Sequence, residues 1–187
     1  MLGVPVPAIR ALAKKTGKNH LLALELWKTG VHEARLLASM VDEPACVTEK
    51  QADSWAEDFD SWDVCDQTCM NLFDKTPFAY KKAIEWSSMD REFVKRAGFA
   101  LMAVLAVHDK KASDEKFLQF LPAIERESTD CRNFVKKAVN WALRQIGKRN
   151  PRLRVAALKT AERIKLLDSP AAKWVANDAI RELEKIR

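Results

Sequence analysis

The stretch FVKRA at Phe93–Ala97 returns 41 residues later as FVKKA at Phe134–Ala138, with four identical residues and one Arg-to-Lys exchange. A period of about 40 to 47 residues is typical of HEAT-like units, each a pair of helices. Apolar residues continue the first copy at helical spacing, as at Leu101 and Val104. Because stacked helix pairs bury such faces jointly and curve as they stack, the repeat predicts an all-α fold, a curved α-solenoid of HEAT-like helical repeats.

Helix boundary signals recur along the rest of the chain. Asn19, Thr48 and Asn150 are residue types that accept a hydrogen bond from the first turn of a helix. Further helices are expected over Asp114–Glu127 and Cys131–Lys148, and no segment shows the alternation typical of strands. A chain of 187 residues with five Gly and seven Pro fits one compact unit, so we expect a single HEAT-like repeat domain over residues 1–187.

Several classes of protein are disfavoured by composition. No apolar run has the length of a membrane-spanning helix, and the first residues do not form a signal peptide, so we expect a cytoplasmic protein with no membrane partner. The spacing of the cysteines and of His20, His32 and His108 matches no metal site, and we expect neither metal nor cofactor. We also expect reduced thiols at all four cysteines. These are Cys46, Cys65, Cys69 and Cys131.

The net charge of +6 is distributed in blocks. Between Val41 and Asp66 there are nine acidic residues and one lysine, whereas between Arg132 and Lys165 there are eleven basic residues and one glutamate. A solvated helix face normally mixes signs, so the second block predicts a surface that binds phosphates. The candidate DNA-binding residues in it are Lys136, Lys137, Arg144, Lys148, Arg149, Arg152 and Arg154.

The segment DSWDVCDQ, Asp60–Gln67, is the best candidate for a chemical site. On a helix Trp62 and Asp66 share a face, which sets an aromatic ring beside a carboxylate. Spacing alone leaves a second interpretation open, a core tryptophan beside aspartates that the helix dipole stabilises. Asp63 and Asp66 lie on one helical turn and cannot flank a bond from opposite sides, which disfavours a two-carboxylate sugar hydrolase.

Three further segments, taken together with DSWDVCDQ, resemble the sequences of a known family. They are EFVKRAGFAL at Glu92–Leu101, VHDK at Val107–Lys110 and NFVKKAVNWALRQIGKRNP at Asn133–Pro151. In this order they resemble the DNA alkylation repair family, the HEAT-like repeat alkylpurine DNA glycosylases, from about Gly3 to the end of the chain. The resemblance implies a solenoid with a cationic concave groove that releases cationic N3- or N7-alkylated purines from duplex DNA. It also implies that the lesion is held against the groove and not flipped into a deep pocket, unlike most base-processing enzymes.

Four site residues follow from the resemblance. Trp62 and Trp141 match the two groove tryptophans of the family, Asp66 matches its catalytic carboxylate, and Arg96 matches the arginine that holds the DNA backbone. A carboxylate suits this chemistry because an alkylated purine already carries positive charge and leaves without much acid catalysis, while positive charge develops on the sugar. From the residues alone, two other interpretations stay open. Trp141 could be a core aromatic, and Arg96 could be a surface residue.

The remaining tryptophans are interpreted as core residues. They are Trp27, Trp55, Trp86 and Trp174. One departure from the family concerns the N-terminus, because family members usually begin with helices upstream of the stretch that matches Gly3–Pro7. The sequence starts at that stretch, so we expect the domain to lack those helices.

The expected function is therefore a monofunctional alkylpurine DNA glycosylase that acts as a monomer on double-stranded DNA with alkylated bases. A catalytically inactive relative that binds DNA structures is an alternative, and it would tolerate the loss of Asp66. A HEAT-repeat scaffold for protein partners is a second alternative, and its binding would lack the steep salt dependence of phosphate contacts. A nucleotide hydrolase is disfavoured because the sequence has no glycine-rich phosphate loop.

Overall fold

A computed structural model describes residues 2–186, and these form α-helices joined by short turns with no strand among them. The prediction of an all-α chain is confirmed. None of the helices in this range is long and apolar enough to cross a membrane. The chain divides into two compact units, Met1–Ala79 and Tyr80–Arg187. The assignment of residues 1–187 to a single domain stays a prediction.

The first unit is built around α3, which packs against α1, α2 and α5. Its elements in order are α1 (Val6–Thr16), α2 (His20–Lys28), α3 (His32–Val41), α4 (Glu49–Glu57), α5 (Trp62–Asn71) and a 3₁₀ turn (Phe73–Lys75). An aromatic cluster fills the core, with Trp27 stacked on Trp55 at 3.9 Å between ring centroids and Phe59 and Phe73 beside them. The core interpretation of Trp27 and Trp55 is confirmed.

The two predicted helix caps of the first unit, Asn19 and Thr48, are confirmed. Asn19 accepts from the N–H of Leu22, and Thr48 accepts from the N–H of Gln51. The Gln51 side chain, however, donates to the buried Asp42 carboxylate at 2.8 Å. A buried carboxylate is stable only when it accepts hydrogen bonds, so this bond stabilises Asp42 and connects the first turn of α4 to the end of α3.

The second unit contains the repeated stretches. Its helices in order are α6 (Ala79–Ser87), α7 (Glu92–His108), α8 (Glu115–Leu118), α9 (Leu121–Glu127), α10 (Asn133–Lys148), α11 (Pro151–Lys165) and α12 (Pro170–Leu183). α10 packs against α7, α9, α11 and α12. Trp86 is buried in this unit, as expected of a core residue, and Asn150 caps α11 as predicted.

The two copies of the repeat are structurally equivalent at their starts. Arg91 precedes α7 with φ −65° and ψ 125°, and Arg132 precedes α10 with φ −62° and ψ 124°. The first aromatic residues of the copies touch, with 5.3 Å between the ring centroids of Phe93 and Phe134. The sequence repeat therefore corresponds to a repeated helix start.

Two expected helices differ in their bounds. The helix predicted over Asp114–Glu127 is divided into α8 and α9, because Pro122 has no N–H to continue the helical hydrogen bonds. The helix expected from Cys131 begins at Asn133. Asp130 accepts from the N–H of Arg132 at 3.0 Å, which holds that residue outside the helix.

Candidate active site

Trp62 and Asp66 lie one turn apart on α5, as the spacing predicts. Trp62 is the first residue of the helix and is 53% exposed, while Asp66 is half-buried. The alternative of a core tryptophan at position 62 is wrong. The first turn of α5 thus presents an accessible ring close to a carboxylate.

Three buried side chains anchor α5 in the first unit. Val64, Cys65 and Cys69 are fully buried there. Burial, the neighbouring Cys65 and the negative charges of Asp66 and Asp74 raise the pKa of Cys69 well above its usual range. Cys69 therefore stays a neutral thiol beneath the candidate site.

A second pair of polar side chains occurs beside Trp62 and was missed by sequence analysis. His32 Nε2, at the start of α3, lies 2.9 Å from Asp63 Oδ2, and Asp63 Oδ1 accepts from the N–H of Val64. An open recess of about 620 Å³ is lined by His32, Trp62 and Asp63 and by the turn between α2 and α3. His32 and Asp63 are 31 residues apart in sequence, so no local spacing signals the pair.

Arg96 lies inside the second unit and not on its surface. It is 6% exposed, and its Nη1 donates to the carbonyl of Phe134 at 2.6 Å, which joins α7 to α10. The alternative of a surface arginine is wrong. Trp141 on α10 is half-buried, which is intermediate between a core aromatic and an exposed ring.

Most of the candidate DNA-binding residues have partners inside the second unit. Arg144 and Lys148 both contact the Glu182 carboxylate of α12. Burial opposes the ionisation of Glu182, but its bonds with these two cations outweigh that effect and lower its pKa. Arg152 lies 2.9 Å from Glu115 of α8. These cations are paired with acids that lie outside the basic block of the sequence.

The other members of the block make different contacts. Arg149 and Arg154 donate to backbone carbonyls, at 2.7 Å to Ala106 and 2.9 Å to Ile186. Lys136 Nζ lies over the ring of Trp174 at 5.0 Å from its centroid. The core interpretation of Trp174 is wrong, because 41% of it is exposed.

Lys137 on α10 is exposed to solvent. Among the candidates it is therefore the clearest example of a side chain on the surface. Contacts with DNA by all eight basic candidates, Arg96 included, stay predictions.

Nearly all of the chain matches a known family. The family described as DNA alkylation repair enzyme matches residues 1–183. The chain belongs to this family. The resemblance that DSWDVCDQ and the three other segments carry is thereby confirmed.

The chain is also similar to a solved structure. That structure is described as a new family of proteins related to the HEAT-like repeat DNA glycosylases with affinity for branched DNA structures. It shares 21% sequence identity with this chain at a TM-score of 0.77, over 96% of this chain and 82% of the other. The likeness confirms a HEAT-like helical fold. No curated protein matches the chain.

The family match leaves the roles of individual residues open. Trp62 and Asp66 belong to the first unit, and Arg96 and Trp141 belong to the second. Their roles in binding or catalysis stay predictions, as does the cationic concave groove. The structure adds their local setting, with an exposed Trp62 and a half-buried Asp66 on α5 and a buried arginine between the two repeat copies.

Proposed function

We propose that this protein is a monofunctional DNA glycosylase that hydrolyses the N-glycosidic bond of cationic N3- or N7-alkylated purines in duplex DNA. One observation carries the proposal. In a chain of the DNA alkylation repair enzyme family, the exposed Trp62 and the half-buried Asp66 lie on adjacent turns of α5. A ring and a carboxylate in this arrangement suit the stabilisation of a cationic sugar.

The proposed reaction breaks the bond between C1′ of the deoxyribose and the purine nitrogen. The electron pair of that bond goes to the base, which neutralises the positive charge of the alkylated ring. Positive charge develops on the sugar, and the Asp66 carboxylate stabilises it and directs a water molecule to C1′. The new C1′–O bond forms as the water loses a proton to Asp66 or to solvent.

Trp62 is proposed to pack its ring against the sugar. A cation and an aromatic face attract each other by about 0.5 to 2 kcal/mol, depending on how far water is excluded. Trp141 is proposed for the same role in the second unit. For Arg96 we propose a phosphate contact, and its bond to the Phe134 carbonyl means that one guanidinium would then hold both the helix pair and the DNA.

The first test replaces Asp66 by Asn, which keeps the shape of the side chain and removes its charge. We expect the parent to release N7-methylguanine and N3-methyladenine from methylated duplex DNA, measured by mass spectrometry. The variant should lose about 10²- to 10³-fold in rate, the usual effect of removing one group that stabilises charge in the transition state. Asp168→Asn, at an exposed position before α12, is the matched control and should keep the parent rate.

A second candidate function is binding to DNA structures without catalysis. It is favoured by the solved structure whose description includes affinity for branched DNA. The same assay separates the two functions. If neither the parent nor Asp66→Asn releases base while both bind DNA, the glycosylase proposal is wrong, and comparison of binding to branched and linear duplexes then tests the alternative.

A further inference from the structure

The first turn of α5 receives no cap from the residue before it. Ser61 occupies the N-cap position, but its side chain makes no hydrogen bond to the helix. Asp63 takes over part of this role, because its Oδ1 accepts from the N–H of Val64 at 3.0 Å. The N–H groups of a first helical turn have no partner within the helix, so a side chain that accepts from one of them stabilises the helix start. The start of α5, where Trp62 lies, therefore depends on how Asp63 is held.

The side chain of His32 holds Asp63 from α3. His32 Nε2 lies 2.9 Å from Asp63 Oδ2, and the two side chains are only 17% and 30% exposed. An ionised carboxylate only accepts hydrogen bonds, so Nε2 carries the hydrogen. A hydrogen bond to a charged group is stronger than one between neutral groups. The pair thus connects the first turn of α3 to the first turn of α5.

A second residue of α3 holds the segment that leads into α5. Arg35 Nη1 donates to the carbonyl of Asp58 at 2.9 Å and lies 3.8 Å from Oδ2 of Asp60. Arg35 and His32 are three residues apart and share a face of α3. One face of this helix therefore contacts the chain on both sides of Trp62. Because α3 also packs against α1, α2 and α5, it gives that segment a fixed support.

We propose that His32 is a positioning residue that fixes the first turn of α5, so that Trp62 and Asp66 keep a set geometry toward DNA. His32 acts through Asp63 and does not itself react. The inference rests on the proposed function for the roles of Trp62 and Asp66, and it adds a residue of α3 to their site on α5. Reacting groups must be held closely in place, since a displacement of about 1 Å can lower a rate about 10²-fold.

Two replacements of His32 separate its hydrogen bond from its bulk. His32→Gln keeps an N–H donor at about the reach of Nε2, whereas His32→Leu removes the donor and keeps an apolar side chain. We expect His32→Leu to release base from methylated duplex DNA about 10- to 100-fold more slowly in single turnovers at saturating protein. Its affinity for that DNA should stay within about twofold of the parent's, because the lost contact lies within the protein. His32→Gln should restore most of the rate.

A second histidine–aspartate pair in the first unit supplies a matched control. His20 Nδ1 lies 2.7 Å from Asp42 Oδ1, and this pair connects the start of α2 to the end of α3. Asp42 also accepts from the Gln51 side chain and from the N–H of Glu43, so it keeps two donors in His20→Leu. That variant should be less stable than the parent but should release base at the parent rate. A loss of rate that only His32→Leu shows comes from position and not from stability.

Hydrogen exchange provides a readout that needs no catalysis. The N–H of Val64 bonds to Asp63, and its exchange with water can be measured by ¹H–¹⁵N NMR. This exchange should be about 10- to 100-fold faster in His32→Leu, the effect of losing a hydrogen bond to a charged group. It should be unchanged in His32→Gln and in His20→Leu.

The proposal is wrong if His32→Leu keeps the parent's exchange at Val64, or if His20→Leu changes that exchange or the rate equally. It is also wrong if the parent releases base and His32→Leu loses no rate. A parent that releases no base contradicts the proposed function instead, and exchange at Val64 then decides by itself whether His32 fixes the start of α5. If His32→Leu unfolds, His32→Asn replaces it, because its shorter side chain cannot place a donor at the position of Nε2.

Discussion

At the scale of single residues, Asp130 illustrates how charge holds the repeat copies in place. Its carboxylate accepts from the backbone and the guanidinium of Arg132 and lies 3.7 Å from Nζ of Lys95 on α7. Lys95 also bonds to Glu127 at 2.6 Å. This cluster connects α7 with the end of α9 and with the turn before α10. Lys95 in the first copy of the repeat and Arg132 before the second copy are therefore both held by carboxylates within the protein.

The stability of the protein should fall in acid because of this cluster. Burial opposes the ionisation of Asp130, but the hydrogen bonds and charge of Arg132, together with Lys95, outweigh it and lower its pKa. The pKa of Glu127 is lowered in the same way, against burial, by Lys95 and Arg126. A pKa lowered by folding stabilises the native state above the unfolded-state value of about 4. That contribution is lost as the pH falls through the folded-state value.

The measurement is the urea midpoint of unfolding between neutral pH and pH 3. Asp130→Asn should be less stable than the parent at pH 7, and the difference should narrow as the pH drops. A difference that stays constant with pH would show that the charge of Asp130 does not contribute to stability.

At the scale of helices, α6 and α7 come together backbone to backbone. A Cβ at Gly98 of α7 would lie 2.4 Å from the backbone N and 2.8 Å from the Cα of Ser87 on α6. Gly147 of α10 is also crowded, but its nearest neighbours are the terminal carbons of the Leu183 side chain, at 2.7 and 2.8 Å. The first contact is with rigid backbone, and the second is with a side chain that can rotate.

Replacement of each glycine by alanine should therefore have different effects. Alanine favours the helix over glycine by about 1 kcal/mol at both positions, so the change in helix propensity is the same in the two variants. Gly98→Ala should destabilise the protein by about 1 to 3 kcal/mol, because α6 must move away from α7. Gly147→Ala should cost less, since Leu183 can adopt another rotamer. Chemical denaturation of both variants measures the difference, and equal losses would contradict this account.

At the scale of the whole molecule, local signals predicted the helical class and the repeat better than they predicted the site. FVKRA and FVKKA mark two equivalent helix starts because identical residues face the same local constraints. Charge counting was less informative. Glu182 and Glu115 lie outside the basic block and neutralise several of its members, and such pairing depends on how helices pack. The His32–Asp63 pair was missed for the same reason.

The burial of two thiols of α5, Cys65 and Cys69, affects how the protein reacts with the electrophiles that alkylate DNA. A thiolate, and not a thiol, is the nucleophile, and Cys69 is both inaccessible and held protonated by its raised pKa. Cys46 and Cys131 are exposed. On exposure to a methylating agent, peptide mass spectrometry should find adducts at Cys46 and Cys131 well before Cys65 or Cys69. Early modification of Cys69 would reveal opening of α5. In the native state, an alkylating agent would then react with the exposed thiols of Cys46 and Cys131, while the buried thiols of Cys65 and Cys69 in α5 stay unmodified.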